Sequence, residues 1–292
     1  DASVTTGAAF NTAFADGATI VTGLLTAAKD VTLAAGLSTV DTSITIDAAS
    51  LVGTAAETHS IVTGSGADTV IFTGDDTFVG VNAAGQGTIV ISTGADADAI
   101  TVTIASTLLD STAGQFATIT GGTGADTITL AGKINGATAT ANASIVVASG
   151  DSTSTAYDTV TGFIAATAAD FSDGLEFGTS TIGTLGTEID TGTILTHSVT
   201  AGVATFDDAA TFATALIINS SNLADVVGYL AANSSTNETF AFAFDNTGDG
   251  ASESTFVYHN TTVDSLVLLS GTTGIDALIT TNAVGANDLF VS

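Results

Sequence analysis

The chain has 292 residues, enough for a large core and for two domains, and it carries Lys+Arg 2 against Asp+Glu 30, a formal net charge of -28. That charge excludes nucleic acid and anionic lipid surfaces as partners, because both would be repelled. With 45% hydrophobic residues and a mean hydropathy of +0.51, the chain is nonetheless too apolar for disorder. It must fold, and its carboxylates need a neutralising partner, for which a divalent cation is the simplest candidate.

Absence of Cys removes disulfides and thiolate metal sites. No run of about 18 apolar residues exists, so no membrane-spanning helix is expected. The chain does not open with a basic segment followed by an apolar one, so no signal peptide is visible. Met is absent even at position 1, which suggests a processed product or a piece of a longer precursor. With 32 Gly and no Pro, turns are built on glycine and aspartate. The alternation of Thr, Val, Ile and Ala with Gly, Asp and Asn predicts many short strands.

The first half repeats. An aspartate precedes a strand-like segment at Asp16 (ADGATIV), Asp41 (VDTSITI), Asp68 (ADTVIF), Asp98 (ADAITV), Asp126 (ADTITL) and Asp158 (YDTVTGF). From Asp68 onward the intervals are 30, 28 and 32 residues. A period of this size marks stacked supersecondary units. One coil per repeat, stacked as a parallel β-solenoid, places Val70, Ile100, Ile128 and Val160 in an inner ladder. Thr and Ser at alternate positions then face out or pair across coils. A β-sandwich with irregular strands is the alternative.

Three of these segments begin with a glycine turn: TGSGADTVIF (63–72), TGADADAIT (93–101) and GGTGADTITL (121–130). Glycine admits positive φ and lets backbone carbonyls converge, and the aspartate adds a formal charge to that ring of oxygens. Ca²⁺ takes six to eight oxygen ligands, carbonyls among them. The competing reading is an ordinary Gly–Asp turn.

Gly121 to Thr129 match the nonapeptide G-G-x-G-x-D-x-U-x throughout, U being a large apolar residue. Thr63 to Ile71 match it except for Thr63 in the first glycine place. Thr93 to Thr101 match more weakly, with Asp96 in the second-turn glycine position. The chain thus resembles RTX proteins. The resemblance implies Ca²⁺ ligation by Gly64, Gly66 and Asp68, by Gly94, Asp96 and Asp98, and by Gly122, Gly124 and Asp126. Asp75 and Asp76 (GDDTFVG) form a further partial match, with Asp76 as its candidate ligand. Tandem RTX repeats follow one another without gaps, whereas here they are about 30 residues apart. Wide coils with one or two sites each are similar to the RTX-like segments of bacterial surface-layer proteins, as are the Ala/Thr/Ser-rich residues 37–54. The stretch YDTVTGFIAATAADFSDGLEF (157–177) resembles the segment that closes RTX calcium blocks. It implies Asp158, Asp170 and Asp173 as ligands and Phe163, Leu175 and Phe177 as caps of the core.

The texture then changes. DDAATFATALIINSSNLADVVGYLAAN (207–233) predicts a helix pair. Asp207 or Asp208 would cap the first helix, with Phe212, Leu216 and Ile217 on one face. Asn222 would cap the second, with Leu223, Val226, Val227 and Leu230 on one face. ETFAFAFDNTGDGASESTFVYHN (238–260) predicts a strand, a polar turn and a strand, with Phe240, Phe242 and Phe244 sharing a face. DSLVLLSGTTGIDAL predicts another strand. The turn from Asp245 to Gly250 is either a calcium loop using Asp245, Asp249 and Glu253 or a solvated hairpin loop. It lacks the full EF-hand spacing and the flanking helices. Helix pair and hairpin together resemble the C-terminal module of large RTX and surface-layer proteins, which carries a type I secretion signal.

None of His59, His197 and His259 sits in H-E-x-x-H, and no G-x-S-x-G, P-loop or Rossmann fingerprint occurs. The expectation is therefore a non-enzymatic, mainly β protein. Residues 1–177 would form a parallel, RTX-like β-solenoid with calcium-binding turns, and residues 178–292 a smaller α+β module. The resemblance implies a secreted structural protein of the bacterial cell surface, with Ca²⁺ as cofactor. It would assemble with copies of itself into a layer or filament, with cell-surface polysaccharide as a second partner. The alternative is an RTX adhesin or a carbohydrate-active β-helix module.

Overall fold

A computed structural model describes residues 5–6, 19–22, 32–34, 41–48, 58–75, 88–105, 115–132, 142–165, 173–186, 188–279 and 288–291. In chain order the strands begin β1 (Thr5–Thr6), β2 (Thr19–Thr22), β3 (Thr32–Ala34), β4 (Ser43–Ala48), β5 (Thr58–Val62), β6 (Thr69–Asp75) and β7 (Thr88–Ala95). Next come β8 (Ala99–Ala105), β9 (Gln115–Thr123), β10 (Thr127–Ala131), β11 (Asn142–Val146), β12 (Asp158–Thr161), β13 (Gly174–Glu176) and β14 (Thr181–Ile182). The last are β15 (Thr196–Thr200), β16 (Val203–Asp207), β17 (Glu238–Phe244), β18 (Ser254–His259), β19 (Ser265–Ser270), β20 (Leu278–Ile279) and β21 (Asp288–Val291). Among the described residues one helix, α1 (Leu223–Asn233), lies between β16 and β17. The protein is mainly β, and among the described residues no helix is long and apolar enough to cross a membrane.

Odd and even strands part company. Strands β1, β3, β5, β7, β9, β11 and β13 pair in parallel in one sheet, while β2, β4, β6, β8, β10 and β12 pair in parallel in another. Each passage of the chain therefore adds one strand to each sheet. Parallel pairing with both inner faces apposed demands apolar residues at every second position, which the Thr-apolar alternation supplies. In the even sheet, Ile44, Val70, Ile100, Ile128 and Val160 are in register and buried. In the odd sheet, Ile61, Ile91, Ile119, Ile145 and Leu175 do the same. All belong to one apolar cluster. Each such side chain contributes about 1.5–3 kcal/mol on burial. Phe163, Leu175 and Phe177 are buried in this same cluster.

Past residue 178 the even sheet continues in a different style. β17, β18 and β19 form an antiparallel meander, and β19 then pairs in parallel with β12. Leu269 falls opposite Val160 and extends the inner ladder, while Leu268 falls opposite Thr159 on the outer face. That outer face is covered here. Phe240, Phe242 and Phe244 share it, as expected, with Phe256, Tyr258, Leu266 and Leu268. Leu223, Val226, Val227, Tyr229 and Leu230 of α1 pack onto them. The odd sheet ends with β21 antiparallel to β13, and β20 pairs with β21.

The expected helix pair is a single helix. Residues 208–217 are irregular, because the Asp207 carboxylate accepts the N–H groups of Ala209, Ala213 and Thr214 at 3.1, 2.7 and 3.0 Å. A side chain collecting local donors competes with the helical ladder. Phe212 and Ile217, expected on a packed face, are exposed. Asn222 does precede α1, but its Oδ1 accepts Asn219 N–H at 2.8 Å rather than capping the helix. His59 and His259 lie in strands and are buried.

Candidate metal centre

The repeating aspartates form a buried column. The N–H of Thr42 donates to Asp68 Oδ1 at 2.6 Å, that of Asp68 to Asp98 Oδ1 at 2.7 Å, that of Asp98 to Asp126 Oδ1 at 2.9 Å and that of Asp126 to Asp158 Oδ1 at 3.0 Å. Each carboxylate thus ties the start of its own strand to the start of the strand in the preceding coil. Asp41, at the solvent edge, takes the N–H of Ala67 at 3.0 Å. At the other end the N–H of Asp158 donates to Ser152 Oγ at 2.7 Å, and that hydroxyl donates to Leu266 O at 2.5 Å. The aspartate recurs because a strand's first N–H needs an acceptor and the coil repeat delivers one.

One oxygen of each rung satisfies the backbone and the other does not. Oδ2 of Asp68, Asp98 and Asp126 is buried with no hydrogen-bond partner among the described residues. Burial disfavours the charged form and raises all four carboxyls: Asp98 to about 7, Asp126 to about 6, Asp158 to about 8, and Asp68 by direction. Neighbouring carboxylates push Asp98, Asp126 and Asp158 the same way. The two lysines, Lys29 and Lys133, lie outside the described residues.

The turns beside the column are held by contact between coils. A Cβ on Gly122 (φ +96°) would sit 1.9 Å from Gly94 O, and one on Gly94 (φ +106°) 1.9 Å from Gly64 O. At Gly121 a Cβ would lie 2.1 Å from Asp126 Oδ2, so the unpartnered oxygen rests against the turn. Asp96, in the glycine place, adopts φ +76°, a region that aspartate tolerates. Thr63 and Thr93 occupy the first glycine place, and the sequence pattern alone did not explain them. Their hydroxyls donate to Thr93 O and Gly121 O of the next coil at 2.8 and 2.9 Å.

The other expected ligands fall in three groups. Asp173 is buried, with Oδ1 accepting Ala143 N–H and Oδ2 accepting Ile164 N–H, each at 2.8 Å, and joins coils on the odd sheet. Asp76 and Asp170 lie outside the described residues. Asp245, Asp249 and Glu253 come together in the β17–β18 turn, with one ligand atom from each within 4.8 Å of the others. This group could hold a metal ion. Asp245 is buried at its base and accepts the N–H of Thr247, Gly248 and Gly250 at 3.1, 2.5 and 2.9 Å. Burial alone would raise its carboxyl, but these N–H donors outweigh it and hold it below the ordinary value, ionised and ready to ligate. Gly248 and Gly250, at φ +77° and +94°, give the loop its curl.

Oxygen donors of this kind, carboxylates and turn carbonyls without sulfur or imidazole, suit a hard cation such as Ca²⁺ or Mg²⁺. No protein-family model, curated protein or solved structure matches the chain.

Proposed function

We propose that the chain is a calcium-stabilised β-solenoid of RTX type, a secreted, non-enzymatic building block of a bacterial surface layer or filament. In this reading residues 1–177 are the solenoid and residues 178–292 the module that closes it. One observation carries the proposal: the column of buried aspartates with an unpartnered Oδ2 at Asp68, Asp98 and Asp126. A carboxylate in such a place is unfavourable unless a proton or a cation meets it. Ca²⁺ would be held by these oxygens and by the turn carbonyls of the Gly64, Gly94 and Gly122 segments, with a separate ion in the Asp245–Asp249–Glu253 loop. The metal would supply positive charge and nothing more. The chain's own residues shape the turns, exclude water from the column and stack the coils.

A net charge of -28 makes copies repel one another. Calcium that neutralises the column and bridges exposed acids would both complete the fold and permit association. The chain would stay loose where calcium is scarce and assemble outside the cell. Circular dichroism and electron microscopy of one sample, titrated from EGTA to millimolar calcium, test this. The expected result is a gain of β-structure followed by ordered sheets or fibres. A chain indifferent to EGTA refutes the calcium reading, and one that folds with calcium but stays monomeric refutes the assembly.

A further inference from the structure

We infer that the outer face of the even sheet is a lattice-matching surface for ordered water, and that the partner it fits is ice. This proposal does not rest on calcium or on self-assembly. The parallel register lines up two rows across five coils: Ser43, Thr69, Ala99, Thr127 and Thr159 in one, and Thr45, Ile71, Thr101, Thr129 and Thr161 in the next. A third row reads Asp47, Thr73, Thr103 and Ala131. Thr127, Thr161 and Ile71 are exposed, and the other threonines of these rows are half-buried, in contrast to the fully buried inward ladder beside them. No hydrogen bond joins the hydroxyls of Thr69, Thr73, Thr101, Thr103, Thr127, Thr129, Thr159 and Thr161 to a described residue, whereas Thr45 of the second row has a partner.

Three features select the occupant. First, the two complete rows contain no charged residue, although the chain carries 30 acids. The neighbouring acids, Asp41 before the first row and Asp47 in the third, both stand at the β4 edge, so a cation, a mineral surface or a basic protein would find no row of charge to hold. Second, the rows contain no aromatic side chain, so a sugar has no stacking platform. Apart from Ile71 and Ala99 every position is Thr or Ser, so a second copy finds little apolar area to bury. Third, the spacing is two-dimensional and regular. Adjacent strands lie about 4.8 Å apart and alternate residues about 6.6 Å apart. A tetrahedral network with hydrogen bonds of about 2.75 Å puts second-neighbour waters about 4.5 Å apart and repeats its paired layers at about 7.3 Å. Threonine offers a hydroxyl that enters such a network and a methyl group that keeps neighbouring water ordered. α1 covers the equivalent face further along the same sheet, so the open area ends where the module begins.

The test measures thermal hysteresis and ice-crystal shape with the full, folded chain in calcium buffer. The wild type is expected to hold a gap between melting and freezing and to facet growing crystals. Thr101→Tyr and Thr129→Tyr, which project from the middle of the lattice, should abolish most of the gap, whereas Thr200→Tyr on β15 should leave it unchanged. Circular dichroism checks that each variant folds. Thr101→Lys, which sets a hydrated charge into the rows, is the second variant should a tyrosine perturb the sheet, and it is expected to lose the gap as well. Rounded crystals and no hysteresis from the folded wild type overturn the proposal. So does hysteresis that survives the central substitutions, or retention on crystalline cellulose or chitin without any effect on ice.

Discussion

The even sheet passes through two regions that solve the same packing problem differently. From β4 to β12 it is parallel, its inner face is aliphatic apart from Phe72 and its outer rows are mostly threonine. From β17 to β19 it is antiparallel, and its outer face is a phenylalanine cluster under α1. The coil region ties neighbouring strands with buried carboxylates, while the module ties them with aromatic contacts such as Phe244–Phe256 at 4.7 Å and Phe242–Phe256 at 5.6 Å. Both regions bury apolar area, but only the coil region also carries a column of buried carboxylates whose charge burial disfavours.

The largest expected effect falls on the module. Phe256→Ala removes a ring that contacts Phe242, Phe244 and Tyr157 and should lower stability by about 3–5 kcal/mol. Urea unfolding gives the total, and amide exchange should show β17–β19 losing protection before the coils. In the coils, Gly122→Val forces a side chain onto Gly94 O at a positive φ and should destabilise by about 3 kcal/mol. Its protection loss should centre on β7–β10, and a uniform loss over both regions would erase the distinction between them.

Acidity should move the two regions in opposite directions. Asp126, Asp98 and Asp158 have folded values of about 6, 7 and 8 against an ordinary 3.8, so without metal the folded coils bind more protons than the unfolded chain. Their contribution is complete below pH 3.8 and is lost as pH rises toward 8. His259, held down to about 4 from 6.5 by burial, works the other way. Its contribution is complete above pH 6.5 and is lost as pH falls through about 4. Amide protection against exchange in EGTA between these limits should strengthen in the coils and weaken around β18 on acidification. Added calcium should flatten the coil response and leave the His259 response in place.

The smallest expected effect is the sharpest test of the column. Asp98→Asn keeps an acceptor for Asp68 N–H and removes the charge. In EGTA at pH 8 it should raise stability by about 1 kcal/mol and shrink the calcium-dependent shift in the urea midpoint. A variant with the same calcium response as the wild type would place the ion elsewhere, with the Asp245 loop the first alternative.

Much of the coil region was legible because its physics is local and repeated. The Asp-Thr-apolar recurrence located Asp68, Asp98, Asp126 and Asp158, and the inward parity of Val70, Ile100, Ile128 and Val160 follows from a period of two. What the repeat did not reveal is that each aspartate would spend one oxygen on a neighbouring coil's N–H, because that bond joins residues 26 to 32 apart. The residues 207–217 misled for a related reason. Phe212, Leu216 and Ile217 have helical spacing, yet Asp207 draws in the backbone that a helix would need.

The amino-acid sequence by itself determined the strands, the turn glycines and the apolar parity, because these depend on φ, on side-chain shape and on alternation along a few residues. Only the tertiary structure decided that odd and even strands separate into two sheets, that β19 returns to lie beside β12, and that α1 covers one stretch of the even sheet's outer face while no described residue packs over the threonine rows. Those outcomes depend on which distant segment offers a matching edge or an apolar surface, and spacing along the chain carries no record of that.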